Sequence, residues 1–219
     1  ALEKALRRAL EKRLKKVKIK KNELVKTKQN RIEPLSIDKF YIHPTWDEPD
    51  KELINIAINP ALAFGTGHHP TTASSIKAIS KYVKKGDKVL DVGCGSGILG
   101  VAALKLGAVV DACDTDIVCV ENSVVNADLN LVKFENIWEG SCSLAKDSYD
   151  IVVANIVADV LTFIANDLKK VLKDNGILIL SGILDKYESK VLKFYTDFEI
   201  VQKITQDEWV TLILKQGKK

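Results

Sequence analysis

Methionine is missing from all 219 residues, position 1 included, so the chain is expected to begin downstream of a native start. No apolar run approaches the roughly 18 residues that a membrane span requires. The charged N-terminus has no apolar signal-peptide core. A soluble, cytoplasmic protein is expected. Histidine is scarce, with only His43, His68 and His69, and no pair has the spacing of metal ligands. The four cysteines, Cys94, Cys113, Cys119 and Cys142, form no Cys-x-x-Cys pair, and three lie in or beside apolar runs. Buried free thiols are expected rather than a disulfide framework or a zinc site, and no metal is expected.

The length suits one substantial domain with a small appendage. Charge marks the boundary. Residues 1–33 hold 13 Lys/Arg against 4 Asp/Glu, a balance of +9, whereas residues 34–219 hold 20 against 25, a balance of −5. Leu2, Leu6, Leu10 and Leu14 recur every fourth position in the first stretch. That spacing predicts one amphipathic helix over residues 1–17, followed by a polar basic linker over 18–33. The plain reading is a helix packed on the main domain with its basic face in water. The functional reading is a contact for ribosomal RNA or an acidic partner, without aromatics for base stacking.

The main domain, residues 34–219, is organised around Lys88–Leu99. Val89, Leu90 and Val92 read as a strand buried on both faces. Gly93-Cys94-Gly95-Ser96-Gly97 follows, and then Ile98, Leu99, Val101, Ala102 and Leu104 recur at helical spacing. Glycines allow positive φ and close approach of a ligand to backbone, and the helix start offers unpaired N–H groups. The Gly-x-Gly-x-Gly spacing differs from both the dinucleotide fingerprint and the phosphate loop. Asp91 closes the strand, and Asp114 closes the next apolar stretch, where an acid can accept from a ribose diol. A ligand with a ribose and no pyrophosphate fits S-adenosylmethionine.

Strands are expected near 40–42, 53–58, 88–92, 109–114, 133–138, 149–154 and 176–181. Helices are expected from Pro70 to Val83 and over 97–106, 116–128, 157–173 and 185–195. Two final strands, 198–204 and 208–215, are separated only by Thr205-Gln206-Asp207 and predict an antiparallel hairpin at the sheet edge. The alternation predicts an α/β, Rossmann-like, doubly wound parallel sheet that binds ligands at the carboxyl ends of its strands. Gly93, Asp114 and Asn155 all fall at such ends. Asn155 could equally cap the helix that follows it. The loop Asn59–Thr72, with Phe64, Gly65-Thr66-Gly67 and His68-His69, precedes the glycine-turn strand and could fold over the same pocket. Thr71 and Thr72 also read as ordinary helix-start residues, and His68 and His69 as exposed loop residues.

These stretches together resemble one family, the bacterial methyltransferases of large-subunit ribosomal protein L11. The resemblance rests on Asn59-Pro60, Ala63-Phe-Gly-Thr-Gly67, His69-Pro-Thr-Thr72, Asp91–Leu99, Ala102–Ala108, Asp114-Thr-Asp116, Val153-Ala-Asn-Ile156, Leu180–Leu184 and Glu208-Trp209. It implies a seven-stranded class I methyltransferase fold, S-adenosylmethionine as methyl donor with S-adenosylhomocysteine as product, and methylation of lysine and α-amino groups of L11. It implies cofactor contacts at Thr72, Gly93, Asp114 and Asn155, with Asp91, Gly95 and Gly97 completing the turn. Asn155 and the Phe64–Gly67 loop, Thr66 included, would face the substrate amine. The sequence departs from the family at His68, where a threonine is usual, and at Glu139-Gly140-Ser141, which lacks an acid often found beside the adenine. Only about 35 residues, basic in balance, stand where the family carries a substrate-recognition domain. Another protein or small-amine substrate, or a non-enzymatic ribosome- or RNA-binding module on the same fold, are the alternatives.

Overall fold

Leu35–Ile37 (β1), Phe40–Pro44 (β2) and Ile54–Ile58 (β3) are short β-branched and aromatic runs, and they form a three-stranded sheet of their own. In this computed structural model the described residues are 33–59 and 67–216. The predicted N-terminal helix and nearly all of its linker therefore lie outside them, as do Phe64 and Thr66. β1 and β2 pair antiparallel around Asp38, whose φ of 50° a short polar side chain tolerates. β2 and β3 pair parallel, from Phe40 opposite Ile54 to Pro44 opposite Ile58. The separate sheet was not anticipated.

From Pro70 strand and helix alternate. The helices are α1 (Pro70–Tyr82), α2 (Ile98–Lys105), α3 (Ile117–Leu129), α4 (Ala158–Phe163), α5 (Ala165–Val171) and α6 (Glu188–Leu192). The strands are β4 (Lys88–Val92), β5 (Val109–Asp114), β6 (Asn136–Glu139), β7 (Tyr149–Asn155), β8 (Leu172–Leu184), β9 (Phe198–Gln206) and β10 (Trp209–Gln216). They form one seven-stranded sheet in the order β6-β5-β4-β7-β8-β10-β9. The pairs among β4 to β8 are parallel, and β10 runs antiparallel to both β8 and β9.

Alternate side chains of the central strands enter two separate cores. Val89, Ile151, Val153, Ile179 and Ile213 pack with Ile76 and Ile79 of α1 and Val101 of α2 on one face. Leu90, Val152, Ala154, Leu178, Leu180 and Leu212 pack with Leu161 and Leu168 of α4 and α5 on the other. Both faces are covered, as a parallel sheet requires. Chain order reverses between β4 and β7, which opens a crevice at their carboxyl ends.

Several boundaries differ from expectation, among them the strand expected near 176–181, which runs over Leu172–Leu184. The helix expected over 157–173 is two helices, broken at Ile164 (φ −94°, ψ 11°). The helix expected over 185–195 is a 3-10 turn, Asp185–Tyr187, followed by the short α6. The C-terminal hairpin turns on Asp207 and Glu208 alone, because Gln206 pairs with Trp209. Of the two hairpin strands only β9 lies at a sheet edge, and β10 lies inside the sheet. Among the described residues no helix is long and apolar enough to cross a membrane.

Candidate active site

The glycine turn leaves β4 and folds back over its neighbour. Gly93 N and Cys94 N both donate to Cys113 O on β5, at 2.8 and 3.1 Å. Two glycines are there because nothing larger fits. A Cβ on Gly93 (φ 70°) would stand 2.5 Å from Ile156 Cγ2, and one on Gly97 (φ 77°) would stand 2.9 Å from the Ser123 backbone. Beneath the turn, Asp91 is almost fully buried, at 1% exposure. Its Oδ2 accepts from Gly100 N at 2.8 Å, at the start of α2. Its Oδ1 has no hydrogen-bond partner among the described residues. Burial pushes its pKa up to about 7, the Gly100 N–H opposes that shift, and the Asp114 charge adds to it. The buried Cys94 thiol, whose Sγ lies 3.2 Å from Ser123 Oγ, is also raised chiefly by burial and stays protonated.

Asp114 ends β5 beside the turn. Its Oδ2 accepts from Gly95 N at 3.0 Å and its Oδ1 from Asp116 N at 3.0 Å. A carboxylate oxygen accepts more than one bond, so both retain capacity for a ligand hydroxyl. Asp116 then caps α3 by accepting from Val118 N at 2.8 Å.

Asn155 ends β7 across the crevice. Its Nδ2 donates to Thr72 Oγ1 at 3.4 Å, which joins β7 to the first turn of α1. Thr72 is buried, and the residue capping α1 is His69 rather than a threonine. His69 Nδ1 lies 3.4 Å from Thr71 N and 2.8 Å from Thr71 Oγ1. Its ring meets Trp209 edge-on, with centroids 4.9 Å apart. Ser181 Oγ, paired with Thr211 Oγ1 at 2.6 Å, donates to Thr71 O at 3.2 Å.

The structure thus joins Gly95 to Asp114 and Thr72 to Asn155, and sets Asp91 under the turn. Phe64 and Thr66 lie outside the described residues. Sequence reasoning missed Ser123 and Asn126, which hold the turn's carbonyls. Ser123 Oγ lies 3.2 Å from Gly95 O, and Asn126 Nδ2 donates to Ser96 O at 2.8 Å. Those carbonyls are held from behind, and Gly93 N, Cys94 N, Gly95 N and Gly97 N donate to Cys113 O, Asp114 Oδ2 and Cys94 O, so the backbone of the turn is fixed in place. Among the described residues no cluster of three metal-binding side chains exists. Glycine backbone, a carboxylate with spare lone pairs and a buried carboxylate oxygen lacking a partner suit a ligand that carries hydroxyls and positive charge.

A family model described as ribosomal protein L11 methyltransferase (PrmA) matches residues 2–217. A ribosomal protein L11 methyltransferase of a Nitratiruptor species is 54% identical over 187 residues, covering 85% of this chain and 66% of the relative. That of Campylobacter concisus is 51% identical over 185 residues, covering 84% and 67%. The chain therefore spans about two thirds of the length of these curated relatives. The crystal structure of a ribosomal protein L11 methylase from Lactobacillus delbrueckii subsp. bulgaricus superposes with a TM-score of 0.81 at 30% identity, covering 85% of this chain and 100% of that one. Magnesium protoporphyrin IX methyltransferase of Synechocystis shares the fold, with a TM-score of 0.58 at 20% identity over 69% of this chain.

Proposed function

The chain belongs to the ribosomal protein L11 methyltransferase family, and from that membership we propose that it methylates amino groups of L11, on lysine side chains and the α-amine, using S-adenosylmethionine. The carboxylate of Asp114, bonded to Gly95 N at the mouth of the β4–β7 crevice, is the observation that carries this reading. That carboxylate is read as a ribose acceptor, and it lies beside a glycine turn that has no room for side chains at Gly93 or Gly97.

Bound S-adenosylmethionine supplies a methyl group on a cationic sulfur. Gly93, Gly95 and Gly97 would hold it by close backbone contact, Asp114 through the ribose hydroxyls, and Thr72 with Asn155 on the far side. The partnerless Asp91 oxygen suits the positive charge of such a ligand. An isolated lysine amine titrates near ~10.4 and must be neutral to attack. A dry crevice favours that form by penalising the cation. The Asn155 Nδ2 is directed at Thr72, which leaves its Oδ1 to accept an amine N–H and orient the nitrogen lone pair. Phe64 and Thr66 are read as facing the same amine. The arm over residues 1–33, with its +9 balance, is read as a separate unit that meets ribosomal RNA or an acidic partner.

The test is calorimetric titration with S-adenosylmethionine, followed in the same sample by labelled-methyl transfer to purified L11. Binding with transfer supports the whole reading. Binding without transfer keeps the pocket and points to another amine substrate. No binding defeats the assignment of the glycine turn. Asp114→Ala is expected to raise the cofactor dissociation constant at least tenfold, and an unchanged constant would remove the ribose role.

A further inference from the structure

Val153 of β7, Ile179 of β8 and Ile213 of β10 share the core that α1 covers. Side chains return to the same face every second residue along a strand. Asn155, Ser181 and Thr211 therefore continue those three rows to the carboxyl end of the sheet, where polar groups replace apolar ones beneath the first turn of α1. Asn155 and Ser181 are direct neighbours across β7 and β8. At this point β8 carries an extra residue. Val210 pairs with Ile183 and Leu212 with Leu180, so Thr211 alone stands opposite Ser181-Gly182. Such bulges re-aim side chains, and Ser181 is aimed out of the sheet at α1.

A serine hydroxyl has one proton to give. Ser181 gives it to Thr71 O at 3.2 Å, so at the 2.6 Å contact between Ser181 and Thr211 it is Thr211 that donates. The bonds run in one direction, from β10 through β8 to the α1 backbone, and all three residues are buried. Thr71 O also accepts from Ser75 Oγ at 2.8 Å, but that bond stays within α1 and ties nothing to the sheet. The next residue is Thr72, whose Oγ1 accepts from Asn155 Nδ2 at 3.4 Å. That distance is at the long limit for such a bond, so a small shift of α1 loses it. An amide released from Thr72 is free to turn its donor end, in place of its acceptor end, toward the crevice.

We propose that Thr211 and Ser181 are positioning residues for methyl transfer: their paired hydroxyls fix the first turn of α1 and, through Thr72, fix which end of the Asn155 amide faces the crevice. The inference rests on the methyltransferase reading above, in which Asn155 Oδ1 orients the amine. Thr211 and Ser181 act through Thr72 and not on the reacting atoms.

The experiment compares wild type, Thr211→Val, Thr211→Ser and Ser75→Ala in the full chain, by two readouts. The first is the pair of NMR signals from the Asn155 side-chain amide in isotope-labelled protein, assigned by their absence from Asn155→Ala. The second is labelled-methyl transfer to L11. Thr211→Val keeps the shape of the side chain and removes the donor. It is expected to move the amide signals toward those of a free side-chain amide and to lower kcat roughly tenfold, as for one lost buried hydrogen bond, with KM for L11 little changed. Thr211→Ser restores the hydroxyl and is expected to restore both readouts. Ser75→Ala, which removes the other hydroxyl from the same carbonyl, is expected to leave both unchanged. Unmoved amide signals or an unchanged kcat in Thr211→Val, or equal effects in Ser75→Ala, overturn the positioning role. A wild type that transfers no methyl to L11 defeats the functional reading instead, and the NMR comparison alone then decides the placement of the amide. Should Thr211→Val not fold, Ser181→Ala is read in the same way with the same expectation.

Discussion

α1 and α3 are both thirteen residues long and both border the crevice, yet they differ in how much apolar side chain they bury. α1 turns Ile76, Ala78 and Ile79 into the core and leaves Lys77 and Lys81 in water. α3 sends only Val120 and Ala127 of its apolar residues inward, beside buried Asn122, Ser123 and Asn126, and exposes Ile117, Val118, Val124, Val125 and Leu129. Apolar burial is strong but undirected, so it anchors α1 and carries Thr72 with it. Hydrogen bonds contribute little net stability but fix distance and angle. α3 is therefore placed by its bonds to the glycine turn, where position matters most.

Substitutions can break this contrast. Ile79→Ala in α1 is expected to cost the most, about 4 kcal/mol in urea unfolding, because a fully buried side chain leaves a cavity. Gly97→Ala comes next, at about 3 kcal/mol, from left-handed backbone strain and the overpacking of a Cβ against Ser123. It should also push α3 off the turn and weaken cofactor binding, which Ile79→Ala should not do selectively.

Asp91 tests the turn that α3 grips. Its folded pKa of about 7 lies above its unfolded value, so the folded chain holds a proton that the unfolded chain has already released. Its contribution is fully present below pH 3.8 and is lost as pH rises to about 7, with a limiting slope of about 1.4 kcal/mol per pH unit. Asp91→Asn is expected to flatten that part of the stability–pH profile. A cationic ligand should reverse the trend by favouring the carboxylate, so binding at pH 7 should release protons, measurable by calorimetry in two buffers. The smallest effect belongs to the outer face of α3. Val125→Ser is expected to change stability by no more than about 0.5 kcal/mol. A loss near that of Ile79→Ala would show that the exposed valines, not the amides, hold this helix.

Much of the parallel sheet was legible because Val89–Val92, Val109–Cys113 and Tyr149–Ala154 are short apolar runs ended by glycine or polar residues. Asp114 and Asn155 could be placed because strand ends converge in such sheets. The family's Ala-Phe-Gly-Thr-Gly, Ala-Asn-Ile and Ser-Gly-Ile-Leu segments narrowed the chemistry further. The parallel pairing of β2 with β3 was not legible, because sequence pattern does not say which strands meet. The break at Ile164 was hidden by a continuous helical apolar pattern. Asn126 left no signal, since a helical asparagine between Val125 and Ala127 reads as solvent-facing, and its partners Ser96 and Asn59 are backbone groups 30 and 67 residues away.

The place of β10 inside the sheet has a consequence for how the chain is made. β9 is synthesised first but has no neighbour until β10 follows, because β10 separates it from β8. The residues that steady the start of α1, Trp209 against His69 and Thr211 through Ser181, also arrive with β10. A nascent chain that has emerged only as far as β9 therefore carries an unpaired strand, and the Thr72 side of its crevice is not yet supported. Such edges invite pairing with other chains. The ligand site matures only once β10 has been made, and a chain cut before β10 would lose its support for binding well before it lost the glycine turn.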